Sequence, residues 1–245
     1  MKKGKDKNKV VCVLGHHGFI GKSLTKKLAK THQVVHIPSK KCRVIYDFAS
    51  PTHESFEANI DYHFNTIIPR MAYLMRFCAN NNIKYVYPSS ALVYELNRTF
   101  KTFKEITEKM QNLFPVDSLC LRIFPVYGVG ETRTVIHQWC RDIKANKRPR
   151  VYGDGTQKRD FIYIDDVIDN IIRLSKTEKG IRDIGAGKPY TFNKIVKMIN
   201  IEAQTNVKPV FIKQPDIYPK GVTCKNPVKC SVSLKKGIKK ILESL

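Results

Sequence analysis

The stretch that decides the fold is Lys9-Val-Val-Cys-Val-Leu-Gly-His-His-Gly-Phe-Ile-Gly-Lys-Ser-Leu24. Its first part, Val10–Leu14, is an uninterrupted apolar run, which is typical of a buried central strand in a parallel sheet. Gly15, Gly18 and Gly21 follow at three-residue spacing, and apolar residues then recur with helical periodicity. The stretch therefore predicts a strand, a glycine-rich turn and the start of a helix.

This order of elements is typical of a site for a pyrophosphate group. Glycines let the backbone approach a phosphate closely, and the free N–H groups of the helix N-terminus face the anion. The spacing G-x-x-G-x-x-G is also compatible with a turn that binds nothing, but its place between a strand and a helix favours a dinucleotide. The predicted contacts of this cofactor are Gly15, Gly18, Phe19, Ile20 and Gly21.

Length and charge limit the class of protein. The chain has 245 residues, of which 42% are hydrophobic, and this suits one α/β domain with a small appended lobe. Residues 1–8 are basic and lack the apolar segment of a signal peptide, so we expect a disordered basic tail there. The formal net charge of +23 favours an anionic partner, whether nucleic acid, anionic lipid or a small substrate. No stretch is long and apolar enough to cross a bilayer.

Seven cysteines are present, without a C-x-x-C pair, and most fall in apolar predicted elements. We expect reduced and mostly buried thiols, as in a cytoplasmic protein, and no metal site. A disulfide between Cys224 and Cys230, or a metal held by both, is the alternative.

Strand and helix patterns alternate along the first half of the chain. Strands are predicted at 10–14, 33–37, 43–50, 83–90 and 118–124, and helices at 20–31, 56–80 and 99–114. This alternation predicts a Rossmann-type doubly wound parallel sheet with α/β architecture, forming a dinucleotide-binding domain over residues 9–130. Residues 131–245 are predicted to form a small α+β substrate-binding lobe laid against it, with the cleft between them.

The end of the second strand ordinarily decides between NAD and NADP, because an acidic residue there bonds the ribose hydroxyls of NAD. Here the chain continues Pro38-Ser-Lys-Lys41, and no acidic residue follows before Asp47. We expect NADP to be preferred over NAD, through Ser39, Lys40 or Lys41. The alternative is that the lysines only solvate a turn.

Five segments, in order along the chain, resemble the extended short-chain dehydrogenases of the nucleotide-sugar epimerase and dehydratase type. They are Gly15-His-His-Gly-Phe-Ile-Gly21, Ser89-Ser-Ala-Leu-Val-Tyr94, Leu121-Arg-Ile-Phe-Pro-Val-Tyr-Gly128, Gly153-Asp-Gly-Thr-Gln-Lys-Arg-Asp-Phe161 and Ile184-Gly-Ala-Gly-Lys-Pro189. The resemblance implies a nicotinamide cofactor, a nucleoside-diphosphate sugar as substrate, and transient oxidation or net reduction at a sugar carbon.

The resemblance also implies catalytic residues. Ser90 stands where the family has a Ser or Thr that bonds the reacting sugar oxygen, and Lys104 where a lysine bonds the nicotinamide ribose. The family pattern Tyr-x-x-x-Lys is replaced by Phe100-Lys-Thr-Phe-Lys104, so the general acid/base is missing. Three alternatives stay open: Tyr94 or a water takes the proton, the reaction needs no such tyrosine, or the site is inactive.

Further contacts are implied in the same way. For the cofactor they are Phe48, Ala49, Ser50, Ser89, Phe124 and Val126. Arg159 matches the family arginine that binds the substrate diphosphate, and Tyr152 is placed to stack on the base. The alternatives are a salt bridge of Arg159 with Asp160, Asp165 or Asp166, and core packing of Tyr152.

Several departures from the family bear on the reaction. The 4,6-dehydratases carry acidic residues where this chain has Ala91 and Leu92, which disfavours that activity. A helix, a strand and a helix are missing before Arg43, and the loop between Tyr94 and Phe100 is short. We therefore expect an NAD(P)-dependent epimerase or 4-ketoreductase. The alternative is a non-catalytic protein whose basic surface holds RNA or another polyanion.

A homodimer is a further expectation, because relatives often pair two long helices per subunit. The helices at 56–80 and 99–114 correspond to them, and the second carries Phe100, Phe103, Ile106 and Met110.

Overall fold

The computed structural model describes residues 9–95, 99–214 and 221–245. The predicted basic tail at 1–8, and residues 96–98 in the short loop after Tyr94, lie outside the described residues. The chain forms two compact units. The first comprises the chain up to Arg122 together with Ile171–Arg182, and the second comprises Ile123–Asn170 together with Asp183–Leu245.

The described residues form strands and helices in alternation. The strands are β1 Val10–Leu14, β2 Gln33–Val35, β3 Cys42–Asp47, β4 Lys84–Ser90, β5 Ser118–Ile123, β6 Val126–Tyr127, β7 Arg150–Tyr152, β8 Lys158–Arg159, β9 Ile162–Tyr163, β10 Gly180–Ile184, β11 Tyr190–Thr191 and β12 Val210–Ile212. The helices are α1 Phe19–Leu28, α2 His53–Ala58, α3 Ile60–Asn80, α4 Thr99–Lys109, α5 Val135–Lys144, α6 Ile164–Thr177, α7 Phe192–Ala203 and α8 Leu234–Ser244.

The main sheet has six strands in the order β10-β5-β4-β3-β1-β2. Strand β1 pairs in parallel with both β2 and β3, and β3 pairs in parallel with β4. The chain thus leaves the edge strand β2 and re-enters the sheet on the other side of β1. The predicted Rossmann-type sheet is confirmed, and the strand order reverses between β1 and β3, where such sheets bind ligands.

The core of this sheet is apolar because β1 and β4 are buried on both faces. Cys12, Ile45, Tyr85 and Tyr87 are each at most 1% exposed. Met75 of α3 belongs to the same buried apolar cluster as these four residues. This is the burial that the apolar run in the first strand predicts.

The predicted helix 56–80 is wrong in one respect, because it is two helices that meet at Asn59. The backbone of Asn59 has φ −157° and ψ 73°, which is not helical, and its side chain accepts a hydrogen bond from Tyr62 N at 3.2 Å. Asparagine favours this capping role over a place inside a helix. The predicted helix 99–114 likewise ends at Lys109 and continues as the 3₁₀ turn Met110–Leu113.

The predicted dimer face on α4 is wrong for most of its residues. Phe100, Phe103 and Met110 are 3%, 0% and 5% exposed, because they pack into the interior of the first unit. Ile106 is 37% exposed. Periodicity marks the apolar face of a helix but does not show whether that face meets the same chain or a second copy.

In the second unit, α5, α7 and α8 pack against one another. Each of these helices has a fully buried isoleucine, which is Ile136 in α5, Ile195 in α7 and Ile241 in α8. Short strand pairs complete this unit: β7 with β12 and β6 with β9 in parallel, and β8 with β11 antiparallel.

Two further observations concern membrane-spanning helices and cysteines. Within the described ranges, no helix combines the length and apolar character needed to span a membrane. All seven cysteines are free thiols, six buried and Cys230 exposed, as the sequence predicts.

Candidate active site

The glycine-rich turn joins β1 to α1 and meets the end of β3. Gly15 has φ +73°, which is the left-handed region that favours glycine. A Cβ atom at Gly15 would overlap the backbone of Phe48 and Ala49, and one at Gly21 would overlap the backbone of Gly15. The turn therefore requires glycine at both positions, and it is held directly against the residues that follow β3.

The N-terminus of α1 has its backbone N–H groups available for an anion. Its N-cap residue is Gly18, which has no side chain to accept from them, and the first turn carries no acidic residue. A helix of this length presents a partial positive charge at that end. The close backbone approach at Gly15 and the uncapped N-terminus both fit the diphosphate of a dinucleotide.

The loop after β3 is held in place by a buried carboxylate. Asp47 is 2% exposed and accepts hydrogen bonds from Tyr85 OH at 2.6 Å and Ala49 N at 3.2 Å. Arg70 Nη2 lies 3.1 Å from Asp47 Oδ2, and the same nitrogen donates to Ala49 O at 2.7 Å. Burial raises the pKa of Asp47, although Arg70 and Tyr85 oppose this change. These contacts fix Ala49, one of the predicted cofactor residues.

Lys104 is buried on α4 and contacts the same loop. Its Nζ donates to Ser50 Oγ at 2.7 Å, and the residue is 3% exposed. The ring centroids of Phe100 and Phe103 lie 5.1 and 5.6 Å from Lys104 Nζ. Burial lowers the pKa of Lys104 to about 8, against the attraction of Cys120, Asp47 and Glu108. The structure thus brings together two residues that the resemblance assigns to the cofactor, Ser50 and Lys104.

A second polar network links the ends of β4, α4 and β5. Ser89 Oγ donates to Glu108 Oε1 at 2.5 Å, and Arg122 donates to both carboxylate oxygens of Glu108, at 2.9 and 2.6 Å. The remaining Arg122 nitrogen, Nη1, donates to Tyr94 OH at 2.9 Å, and the guanidinium carbon lies 4.9 Å from the Tyr94 ring centroid. Tyr94 is 44% exposed. The network therefore fixes a tyrosine hydroxyl near the solvent, beside a cation.

Ser90 ends β4 and caps the 3₁₀ turn Ala91–Tyr94. Its Oγ accepts from Leu92 N at 3.2 Å, and the residue is half-buried. Phe100, which stands where the family has tyrosine, is instead packed edge-on to Phe56 with ring centroids 5.4 Å apart. No proton-transfer group stands at that position, whereas Ser90 and Tyr94 lie at the two ends of one short turn.

The residues that follow β2 have different surroundings from those that the sequence predicts. The strand ends at Val35, not at Ile37. Ser39 Oγ lies 3.5 Å from Cys42 Sγ, and Lys40 and Lys41 are exposed. The described contacts place none of these three residues at the glycine-rich turn.

Four predicted residues lie in the second unit. Phe124 is 2% exposed and donates its N–H to Ile184 O at 3.0 Å, and Val126 is half-buried in β6. Arg159 is 9% exposed, and its guanidinium lies 5.7 Å from the ring centroid of Phe192. Tyr152 is 37% exposed, so it is not a core residue.

The three aspartates that are the alternative salt-bridge partners of Arg159 make contacts with other residues of the second unit. Asp160 accepts from the backbone N–H groups of Gly187, Lys188 and Cys224. Asp165 pairs with Lys240 at 3.0 Å, and Asp166 accepts from Ser231 and Val232. These contacts order the loops of the second unit.

Sequence reasoning missed the residues that hold the site together, which are Asp47, Arg70, Tyr85, Glu108 and Arg122. Asp47 lies inside the predicted strand 43–50 and Arg122 lies inside one of the five resembling segments, so both carried a signal. Their partners are far away in sequence, and only the packing of α3, α4 and the sheet brings them into contact.

The model of the NAD dependent epimerase/dehydratase family matches residues 37–186, which is more than half of the chain. An ADP-L-glycero-D-manno-heptose-6-epimerase of Fusobacterium nucleatum is 26% identical over 172 residues, covering 56% of this chain and 52% of that protein. The chain spans about half the length of the curated relatives it matches.

Solved structures show that the fold is shared. A UDP-N-acetylglucosamine 4-epimerase from Methanobrevibacter ruminantium, in complex with UDP-N-acetylmuramic acid, has a TM-score of 0.83 at 18% identity, covering 97% of this chain and 98% of that one. A UDP-glucuronic acid 4-epimerase from Bacillus cereus, in complex with UDP-glucuronic acid and NAD, has a TM-score of 0.80 at 19% identity, covering 96% and 98%. Together with the family match, these findings show that the chain belongs to the NAD dependent epimerase/dehydratase family.

Proposed function

We propose that this protein is an NAD(P)-dependent nucleotide-sugar epimerase or 4-ketoreductase. The observation that carries the proposal is the buried contact between Lys104 Nζ and Ser50 Oγ at 2.7 Å. It supports a site for the nicotinamide ribose at the carboxyl edge of the sheet, in a chain of an NAD-dependent family. Burial of a lysine that is 3% exposed costs desolvation energy, and a further hydrogen bond to a bound ribose would offset part of it.

In this proposal the first unit holds the cofactor. Gly15, Gly18 and Gly21, with the N-terminus of α1, bind the diphosphate, and Lys104 and Ser50 bind the ribose next to the nicotinamide. A nicotinamide bound there would supply hydride transfer at a sugar carbon, reversibly in an epimerase and in one direction in a 4-ketoreductase. Asp47 and Arg70 act on the loop that carries Ser50, which keeps its hydroxyl in position.

We propose that Tyr94 supplies the proton transfer that Phe100 cannot. A guanidinium that donates to a phenol oxygen favours the phenolate, which then takes a proton from the hydroxyl being oxidised. Arg122 makes this contact at 2.9 Å and is itself fixed by both oxygens of Glu108. Ser90 accepts from Leu92 N, so its own hydrogen is left for an oxygen of the sugar.

The proposed substrate is a nucleoside-diphosphate sugar. Arg159 has the charge and fork geometry to bind a diphosphate, and Tyr152 has the exposed ring to stack on a base. Ala91 and Leu92, next to Ser90, carry no acid that could eliminate water, which argues against a 4,6-dehydratase.

A ligand screen tests the proposal. Thermal shift and native mass spectrometry of the full chain are measured with NAD(H), NADP(H) and UDP-, GDP-, dTDP- and ADP-sugars. A ligand that binds only the folded state raises the melting temperature by mass action. A joint shift by one dinucleotide and one sugar nucleotide supports the enzyme. Absence of any dinucleotide shift overturns it.

A second candidate is a polyanion-binding protein, which one surface of the second unit favours. An open groove of about 630 Å³ there is lined by Arg148, Lys197 and Lys208 together with Phe211, a residue that is 52% exposed. Cations beside an exposed ring suit single-stranded nucleic acid. Binding of a labelled RNA that weakens steeply with salt, in a protein that binds no sugar nucleotide, would support this candidate.

A further inference from the structure

The part of the first unit around β2 carries cations and no carboxylate. Residues 9–46 contain seven lysines, one arginine and no aspartate or glutamate, although the chain has 21 acidic residues in all. Every one of these eight cationic residues is exposed. They are Lys9, Lys22, Lys26, Lys27, Lys30, Lys40, Lys41 and Arg43. This surface therefore has a charge of one sign, which attracts an anionic partner.

Strand pairing brings cations from separate elements to one end of the sheet. Val10 pairs with the first residues of both β2 and β3. Lys9 and Lys41 come directly before these paired positions, so they lie side by side at the amino ends of β1 and β3. Lys30 lies just after α1 and three residues before β2 begins. Arg43 is the extra residue where the register of β1 and β3 shifts, as in a β-bulge.

The loop between β2 and β3 adds an exposed apolar residue to these cations. Ile37 is 80% exposed, more than any other large hydrophobic residue that the structure describes. His36 holds the start of the loop, since its ring stacks on that of His16 with centroids 3.7 Å apart. Pro38 restricts the backbone of the preceding residue to extended conformations. Ile37 is thus held in the solvent, and two lysines follow it three and four positions later.

Cations around an exposed aliphatic side chain fit the surface of an anionic bilayer. Lysines are attracted by negatively charged headgroups, and an apolar side chain gains energy at the boundary between headgroups and acyl chains. Single-stranded nucleic acid fits less well, because its bases stack on aromatic rings. Phe19 and Tyr46 are the Phe and Tyr residues of the range 9–46, which has no Trp, and neither is exposed.

We propose that this surface binds a bilayer that contains anionic phospholipid, with the side chain of Ile37 inserted among the headgroups. We call it the basic edge, and it comprises Lys9, Lys30, Ile37, Lys40, Lys41 and Arg43. The attachment is peripheral and reversible, because one aliphatic side chain and a few lysines bind a membrane only weakly. It needs neither a dinucleotide nor a sugar nucleotide, so it is independent of the proposed function.

Vesicle co-sedimentation of the full chain tests the inference. One set of vesicles is pure phosphatidylcholine, and the other contains about 30% phosphatidylserine, which gives the negative surface potential of an anionic leaflet. We expect the protein to bind only the anionic vesicles. Binding should weaken as the salt concentration rises, because salt screens the attraction between lysines and headgroups.

The variant Ile37→Ser separates insertion from attraction by charge. It leaves every cation in place, and we expect it to bind anionic vesicles about tenfold more weakly, the usual effect of exposing an isoleucine again. Ile201→Ser is the matched control, because Ile201 is also exposed, at 59%, but lies on α7 of the second unit. It should bind as wild type does.

A pair of triple variants tests the location of the charge. Each replaces three exposed lysines by glutamine, the first in the basic edge and the second in the second unit, so both lose the same net charge. They are Lys9→Gln with Lys30→Gln and Lys41→Gln, and Lys225→Gln with Lys229→Gln and Lys236→Gln. The first should bind about 100-fold more weakly, since each lysine near an anionic surface contributes about fivefold. The second should lose far less. Because all replaced residues are exposed, the melting temperatures should stay at the wild-type value.

Several results would overturn the inference. Equal losses in the two triple variants would show that net charge alone attracts the vesicles. Wild-type binding by Ile37→Ser, or no preference for anionic vesicles, would exclude insertion at the basic edge. If a labelled single-stranded RNA binds instead, and only the triple variant of the basic edge weakens this binding, the surface is a nucleic-acid site. In each case the proposed function stands, since the ligand screen tests it separately.

Discussion

Lys104 Nζ donates to Ser50 Oγ at 2.7 Å although the two residues are 54 positions apart in the sequence. One lies on α4 and the other follows β3, so their contact depends on α4 packing beside the carboxyl edge of the sheet. Because this lysine is buried, its pKa falls to about 8. A catalytic or cofactor-binding lysine in this environment changes charge within the pH range of an ordinary assay.

The first prediction concerns the pH dependence of cofactor binding. Lys104 is mostly charged below pH 8 and mostly neutral above it, and in the proposed site only the charged form has all its hydrogens for the cofactor ribose. We therefore expect NADH affinity to fall as the pH rises from 7 to 9.5, measured by fluorescence titration. Lys104→Met should weaken binding and remove this dependence. Lys101→Met, on the same helix and paired with Glu105 at 3.7 Å, is the control and should behave as wild type. A flat profile for wild type contradicts the assignment.

The second prediction concerns the proton-transfer residue. Tyr94→Phe removes the hydroxyl that Arg122 holds, and we expect the turnover number to fall by about 10²–10⁴-fold, the usual contribution of a positioned acid or base. Binding of dinucleotide and sugar nucleotide should persist, because the ring stays in place. Tyr73→Phe, at a tyrosine that is 67% exposed on α3, should leave turnover unchanged. Equal turnover of Tyr94→Phe and wild type would show that a water or another group takes the proton.

The third prediction concerns the pair that supports Tyr94. Arg122→Met leaves Glu108, which is 4% exposed, without its cation, and a buried unpaired carboxylate costs about 3 kcal/mol of unfolding free energy. Arg182→Met removes a pair of the same type between Arg182 and Glu178, but this pair lies at the surface and should cost about 0.5 kcal/mol. Urea unfolding measures both. Similar losses in the two variants contradict the structural role of Arg122.

The fourth prediction separates backbone strain from close packing at the glycine-rich turn. Gly15 and Gly180 have nearly the same φ, +73° and +78°, so an alanine at either position is strained by about 1–2 kcal/mol. A Cβ at Gly180 meets open space, whereas a Cβ at Gly15 displaces Phe48 and Ala49. We expect Gly15→Ala to lose about 3 kcal/mol, more than Gly180→Ala, and to lose dinucleotide binding as well. Equal stability of the two variants refutes the close approach.

The sequence by itself determined the elements whose causes are local. Strand β1 has the predicted bounds Val10–Leu14, and helix α8 spans Leu234–Ser244. In the first case an unbroken apolar run specifies burial, and in the second a capping serine at 233 accepts from Lys236 N at the start of an apolar periodicity. The Rossmann-type sheet and the glycine-rich turn follow from the same kind of pattern.

Tertiary structure decided what lies beside these elements. The sequence showed that Phe100 replaces a tyrosine, but only the fold shows that its ring is buried against Phe56 while Tyr94 is held by Arg122. The early end of β2 and the stacking of His36 on His16 carry no periodic signal either. The physical reason is that periodicity reports whether a side chain is buried, whereas hydrogen bonds and ring contacts between distant residues depend on how the elements pack.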